Sequence, residues 1–262
     1  MADGFHGKTV LIPGGGRGIG YAAGAMMARG GAKVALADVV GDRAQEAAAS
    51  LKDETGAETL GIACDITDME QVKHMVAKTE TALGPVNVMV NTAAIVADKT
   101  FMESTPDDWK EMLDICLYGS MNVIHVVLPG MVERANGRIV CLASDAARTG
   151  QARHSYYAAA KGGVIALVKS IAQEVGRNGV TLNVVSPGAT DTELRQGREK
   201  EVLAAIGEER FAKREQAILR MYPTRRLGQP DDIAAGIVYL CGDGASWVTG
   251  QVLSINGGFA MV

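Results

Sequence analysis

The stretch from Thr9 to Arg29 limits the possible fold more than any other. A short β-branched run, Thr9-Val10-Leu11-Ile12, leads straight into Pro13-Gly14-Gly15-Gly16-Arg17-Gly18-Ile19-Gly20, and an alanine-rich, helix-like segment follows from Tyr21 to Arg29. Strand, glycine turn and helix in that order let the backbone approach a diphosphate, whose charge is favoured by the free amides and the dipole at the helix N-terminus. The spacing Gly14-x-x-x-Gly18-x-Gly20 is not the most familiar dinucleotide fingerprint, and a lone glycine loop is a weak signal. The rest of the chain has to carry the reading.

The strand–helix alternation continues. Lys33 to Ala37 is an apolar run ending at Asp38, and Asp42 to Thr55 reads as a helix with Asp42 available as its cap. Strand Gly61 to Cys64, ending at Asp65-Ile66, is followed by helix Asp68 to Leu83, and strand Val86 to Val90 closes at Asn91-Thr92-Ala93-Ala94. Helix Pro106 to Met131, strand Arg138 to Leu142, helix Tyr157 to Gly176 and strand Val180 to Val185 come next, the last ending at Ser186-Pro187-Gly188. Helix Pro230 to Cys241 and strand Gln251 to Ile255 complete the series. These strands are continuous apolar runs, not polar/apolar alternations, which predicts a parallel sheet covered by helices on both faces. The expectation is an α/β, doubly wound chain, and 262 residues fit a single domain over 1–262.

Composition excludes several classes. Net charge is −4 with basic residues scattered, so neither nucleic acid nor an acidic membrane surface is an expected partner. Cys64, Cys116, Cys141 and Cys241 lie far apart with no C-x-x-C pair, suggesting neither a metal site nor a disulfide framework. The N-terminus, Met1 to Lys8, lacks the charged and apolar regions of a signal peptide, and no apolar run approaches a membrane span. A cytoplasmic setting is the expectation.

Chemistry concentrates in Tyr157-Ala158-Ala159-Ala160-Lys161. On a helix, positions 157 and 161 lie one turn apart on the same face. A phenol, with a reference pKa of about 10, is a poor base near neutrality unless a neighbouring cation favours its anion, and Lys161 supplies one. Ser144, at the end of the run Arg138 to Ala143, adds a neutral hydrogen-bond donor. Asp38, eighteen residues after Gly20, stands where a carboxylate accepts hydrogen bonds from the adenine-ribose hydroxyls and repels the extra phosphate of NADP, so NAD is the expected cofactor. Arg17 argues the other way, because a guanidinium in the glycine loop can hold a phosphate.

Together these residues resemble the short-chain dehydrogenase/reductase family along essentially the whole chain, through Gly14, Gly18 and Gly20, Asp65, the turn Asn91-Thr92-Ala93-Ala94, Ser144, Tyr157 and Lys161, Asn183, Pro187-Gly188, Arg226-Leu227-Gly228-Gln229-Pro230 and Asn256-Gly257-Gly258. The resemblance implies a Rossmann-type fold in which Tyr157 acts as acid in ketone reduction and base in alcohol oxidation. It implies that Ser144 polarises the substrate oxygen and that Lys161 binds the nicotinamide ribose and lowers the tyrosine pKa. It also implies cofactor contacts from Gly14, Arg17, Gly18, Ile19, Gly20, Asp38, Asp65, Ile66, Asn91, Ala93, Tyr157, Lys161, Pro187, Gly188, Thr190 and Thr192. Pairing of subunits into dimers or tetramers, through the helices holding Trp109 to Met131 and Tyr157 to Gly176, is a further implication. Three positions depart from the family pattern: Cys116 where asparagine helps hold a relay water, Pro13 for threonine and Ala94 for glycine.

Substrate-facing positions, by the same resemblance, include Val96, Asp145, Gln151 and His154. Residues 193–222 are richly charged yet carry Leu194, Val202, Leu203, Ile206, Phe211, Ile218, Leu219 and Met221 at roughly helical spacing, which reads as an amphipathic lid, an oligomer contact or a plain surface helix pair. Within the family, the segments around Ser144 and Pro187 look closest to dehydrogenases of cyclic β-hydroxyacyl-CoA substrates such as 2-hydroxycyclohexanecarboxyl-CoA, with 3-oxoacyl-thioester reductases as neighbours. Arg195, Arg198 and Lys200 are then candidate contacts for CoA phosphates, interleaved with Glu193, Glu199 and Glu201. A bulky apolar alcohol (steroid, terpenoid or aromatic dihydrodiol) and a low-turnover NAD-binding scaffold stay open as alternatives.

Overall fold

The computed structural model describes residues 4–262, so the reading of the extreme N-terminus as lacking a signal peptide falls partly, at Met1 to Asp3, outside the described residues. Among the described residues seven strands form one sheet: β1 Thr9–Pro13, β2 Lys33–Asp38, β3 Thr59–Ala63, β4 Val86–Asn91, β5 Gly137–Leu142, β6 Val180–Pro187 and β7 Val252–Ile255. Their order is β3-β2-β1-β4-β5-β6-β7, and every neighbouring pair is parallel. The helices are α1 Gly18–Arg29, α2 Gly41–Thr55, α3 Met69–Leu83, α4 Pro106–Leu113, α5 Gly119–Glu133, α6 Ala146–Thr149, α7 Ser155–Val175, α8 Glu193–Ile206, α9 Glu208–Met221 and α10 Pro230–Cys241. Two large clusters of buried apolar side chains sandwich the sheet. One joins Val72 and Met75 of α3 and Ile124 and Met131 of α5 to the strands, and the other joins Met27 of α1 and Ile237 of α10 to them. The doubly wound expectation holds, and strand order reverses between β1 and β4, where such sheets open a crevice at their carboxyl ends.

Local chemistry sets most boundaries. Asp68 caps α3, accepting from the amides of Glu70 and Gln71. Asp42 does not cap α2, which already begins at Gly41 after Val40, so its carboxylate sits in the first turn, where it still complements the helix dipole. The helix expected over 106–131 is broken in phase. Between α4 and α5, Asp114–Tyr118 forms a π-helical turn. Contrary to the sequence expectation, Pro106–Glu133 taken as one segment is long and apolar enough to cross a membrane by length and composition. Val123, Ile124, Val127 and Met131 are nevertheless buried against the sheet.

Candidate active site

A cleft of about 330 Å³ opens beside the glycine loop at the switch between β1 and β4. Gly14 takes a φ of +77°, and a Cβ there would lie 2.5 Å from the Ala93 amide nitrogen, so the loop packs directly onto the end of β4. Thr92 completes that junction by donating its amide to the Pro13 carbonyl at 2.9 Å. Gly16 leaves room of a different kind: its absent Cβ would sit 2.6 Å from Asp38 Oδ2. Asp38 is buried, and its other oxygen accepts from the Val40 amide at 3.0 Å and from Arg43 Nη1 at 3.1 Å. One carboxylate oxygen is therefore fixed by the protein, and the second lies over the glycine loop. Neither Gly16 nor Arg43 was singled out from sequence, because only the fold brings them to Asp38.

Arg17, Gly18, Ile19, Gly20, Asp65, Ile66 and Ala93 line this cleft, with Thr192 reaching it from the start of α8. Asp65 also holds its own turn through Thr67. Asn91 departs from its expected place at the cofactor. Its side chain is buried in the protein, donating to Ser120 Oγ at 2.9 Å and accepting from the Ala93 amide at 3.2 Å, so it braces the turn after β4.

A second cavity of about 450 Å³ adjoins the first and shares Thr92, Ala94, Ile95 and Leu142 as walls. Ser144, Tyr157 and Lys161 line it, together with Pro187, Gly188 and Thr190. The end of β5 supplies Ser144, and the first two turns of α7 supply the other two. Lys161 Nζ donates to the Leu142 carbonyl at 2.8 Å and stands 6.0 Å from the Tyr157 ring centre. Burial pushes the Tyr157 phenol above its ordinary value, opposed by the Lys161 charge, while the Cys116 thiol pushes it further up and a hydrogen bond with Ser144 pulls it down. In this state the tyrosine is a proton donor at neutral pH.

Cys116 is fully buried in the π-helical turn, with its Sγ 3.6 Å from the Ile95 carbonyl and 3.7 Å from Met112 Sδ. It packs with Met112, Tyr156 and Ala160 against Tyr157. Its own carbonyl accepts from Ser120 Oγ at 2.7 Å. Position 116 is thus a packed apolar site here, joined through Ser120 to Asn91.

Of the expected substrate residues, Val96, Gln151 and His154 line the cavity with their neighbours. Asp145 must be reassigned. It borders the cavity, but its carboxylate accepts from Ser186 Oγ at 2.7 Å, Ser254 Oγ at 3.2 Å and Asn256 Nδ2, tying β6 and β7 to the C-terminal loop. His154 is buried, and its ring meets Tyr157 edge-on at 6.0 Å between centres. Nδ1 lies 3.2 Å from the Ala152 carbonyl, which can only accept, so Nδ1 carries the proton and Nε2 faces Arg198 as an acceptor. Desolvation holds the His154 pKa below its ordinary value, and the nearby Arg198 and Arg153 add to the effect.

Residues 193–222 form two helices, α8 and α9, separated at Gly207 with a φ of +79°. They roof the cavity with Leu194, Ile218 and Met221 and also with charge: Arg195, Arg198, Glu199 and Arg214 face inward. Two of the three basic residues expected to meet CoA phosphates therefore point into the cavity instead, while Lys200 is exposed. Glu199 is buried, and Arg195, Arg198 and Arg214 converge on it.

Comparison with known proteins agrees with this architecture. A family model described as enoyl-(acyl carrier protein) reductase matches residues 14–260. Acetoacetyl-CoA reductase of Shinella zoogloeoides is 36% identical over 251 residues, covering 96% of this chain and 98% of that protein. The 3-oxoacyl-(acyl-carrier-protein) reductase of Escherichia coli (strain K12) is 32% identical over 259 residues, covering 98% and 99%. Among solved structures, levodione reductase superimposes with a TM-score of 0.91 at 32% identity, covering 97% of this chain and 98% of that one. A variant of the actinorhodin polyketide ketoreductase, crystallised with NADPH, gives 0.91 at 28% identity, covering 96% and 97%.

Proposed function

This chain belongs to the short-chain dehydrogenase/reductase family and is an oxidoreductase of hydroxyl and ketone groups, and from that premise we propose that it is NAD-dependent and interconverts a 3-oxoacyl-type ketone with the matching secondary alcohol. The observation that carries the cofactor preference is Asp38, whose free oxygen lies over the glycine loop where an adenine ribose would place its hydroxyls. Its charge disfavours a 2′-phosphate, even though Arg17 and Arg43 stand close. The relatives named for 3-oxoacyl substrates support the substrate class.

Bound in the cleft, the nicotinamide would supply the hydride to the substrate carbon in reduction and take it back in oxidation. Everything else falls to the chain. Tyr157 donates its proton to the carbonyl oxygen as the hydride reaches carbon, and the neutral phenol that burial enforces is the form this needs. Ser144 orients the same oxygen by hydrogen bonding. Lys161, held by the Leu142 carbonyl, stabilises the tyrosinate left behind and presents its remaining protons toward a ribose. Residues 193–222 act as the lid of this single catalytic unit, and their roof excludes water.

The same reading makes the protein a homo-oligomer, dimer or tetramer, through the segments Trp109 to Met131 and Tyr157 to Gly176, where Tyr118 of the π-helical turn and Met121 of α5 are exposed large side chains. It also makes it cytoplasmic, a setting that suits four free buried cysteines. The test is reduced-nicotinamide absorbance, followed with NAD(H) and NADP(H) over 3-oxo acids, their esters and thioesters, and cyclic secondary alcohols, with Tyr157→Phe as control. Turnover that persists in the control, or a preference for NADP(H), would overturn the respective half of the proposal.

A further inference from the structure

Where α8 and α9 roof the substrate cavity, three guanidiniums, Arg195, Arg198 and Arg214, meet two carboxylates, Glu199 and Glu215. Arg153 nearby is paired with both Asp98 and Glu103, and Arg195 and Arg214 are satisfied by Glu215 and Glu199, Arg195 Nη2 lying 2.8 Å from Glu215 Oε1. Arg198 is the member left over. Its Nη2 reaches Glu199 Oε1 only at 3.3 Å, its Nη1 faces His154 Nε2 at 3.5 Å, and its buried Nε has no hydrogen-bond partner among the described residues. Burying a guanidinium N–H without an acceptor is costly, and such orphans are few in native proteins.

That Nε is sealed from the cavity as well, so a ligand meets Arg198 through the terminal nitrogens, each of which keeps a hydrogen beyond its contact with His154 or Glu199. Arg198 lines the same cavity as Ser144 and Tyr157, and a single imidazole, His154, separates its guanidinium from the catalytic ring. His154 is neutral in this arrangement, so it adds no competing charge and instead orients the guanidinium. A planar fork of N–H donors matches a carboxylate, and the remaining walls nearby, Val96, Ile218 and Met221, suit a short carbon skeleton.

We propose that Arg198 binds a carboxylate carried by the substrate a few atoms from the reacting carbon, so that the substrate is a short oxo acid or hydroxy acid taken as the free anion and not as a thioester or ester. The inference rests on the ketone–alcohol reading above and narrows it. Arg198 acts here as a specificity-determining residue, holding the anion while Tyr157 and Ser144 address the oxygen.

The experiment compares acetoacetate, ethyl acetoacetate and acetoacetyl-CoA as substrates with NADH, in the wild type and in Arg198→Gln. Glu199 keeps Arg195 and Arg214 in this variant, so the lid retains its ion pairs. The expected result is a wild-type kcat/KM at least about tenfold higher for the acid than for the ester. Arg198→Gln should raise KM for the acid by about tenfold to a hundredfold with kcat little changed and the ester unaffected, and Arg198→Lys should restore part of the loss. In parallel, calorimetry measures 3-methylbutanoate, which has the same skeleton and no reducible carbon, and its neutral amide against the protein–NADH complex. The carboxylate should bind more tightly than the amide in the wild type and lose that advantage in Arg198→Gln.

An ester or thioester used as well as the acid, equal binding of carboxylate and amide, or equal losses on all three substrates would overturn the proposal. Loss on acetoacetyl-CoA alone would assign Arg198 to a phosphate of the CoA arm and likewise overturn it. If no ketone is turned over, the ketone–alcohol reading fails, and the calorimetric arm still decides whether Arg198 selects a carboxylate.

Discussion

Replacing Asp145 with alanine separates a structural role from the substrate role that its place beside Ser144 suggests. The carboxylate is buried and accepts three hydrogen bonds, from Ser186, Ser254 and Asn256, which belong to β6, β7 and the loop after it. A hydrogen bond to a charged acceptor contributes about 1.5–3 kcal/mol, but not all three are lost outright. Ser254 still meets Arg148, and Asn256 still donates to the Ala260 carbonyl at 2.7 Å. The working figure for Asp145→Ala is therefore a loss of about 3 kcal/mol. For a chain of this size that corresponds to a melting point lower by about 6–12 °C. Scanning calorimetry on cofactor-free protein, at one fixed concentration so that assembly does not enter, reads the shift. Asp145→Asn, which keeps one acceptor oxygen, should lose about half as much. A shift below about 2 °C accompanied by a large rise in KM for the ketone would refute the reasoning and return Asp145 to the substrate.

Tyr157→Phe should lower kcat by about a thousandfold while NADH binding, followed by fluorescence, is retained. Because burial raises the phenol pKa, the acid form persists through neutrality. Ketone reduction should therefore hold a flat kcat/KM from mildly acidic to mildly alkaline pH and fall only as the tyrosine loses its proton, and a decline centred near neutrality would show that another group supplies the proton. Asp38→Ser removes a charge that at about 4 Å from a phosphate is worth about 4 kcal/mol at an effective dielectric of 20, partly offset by Arg43. The ratio of kcat/KM for NADH over NADPH should drop by about a hundredfold, and an unchanged ratio would exonerate the residue. Cys116→Asn puts a larger, polar side chain into a fully packed site, so denaturant titration should show about 1–3 kcal/mol of lost stability with turnover within about threefold of the parent. A large gain in turnover would mean that the thiol had been weakening a proton relay.

Some of this was legible in the chain and some was not. The strands could be read because a parallel strand buried on both faces, such as Thr9–Pro13, must be apolar at nearly every position, whereas the cap expected at Asp42 proved to be a first-turn residue. Asp145 misled because neighbours at a strand end point to different sides, so adjacency to Ser144 says nothing about where its carboxylate goes. The Arg198–Glu199 pair misled in the opposite sense. Interleaved charges on one helix look like a solvated face, and only the docking of α9 against α8 turns them inward. The Asp38–Gly16–Arg43 arrangement and the π-helical turn carry no local signature, since each depends on segments meeting in space or on a hydrogen bond shifting by one residue.

That shifted turn at Asp114–Tyr118 acts as a phase adjuster. The π geometry accommodates one residue beyond a regular helix, and each helical residue turns the chain by about 100°, so the insertion decides which way everything after it faces. Met112 before it points at Tyr156 and Ala160, whereas Ile124 and Met131 after it point at the sheet. Deleting a single residue within 114–118 would leave the hydropathy profile almost untouched and rotate that second stripe off the strands. For anyone grafting or shortening this helix, the quantity to preserve is its residue count between Met112 and Ser120, ahead of the identity of any one side chain in between.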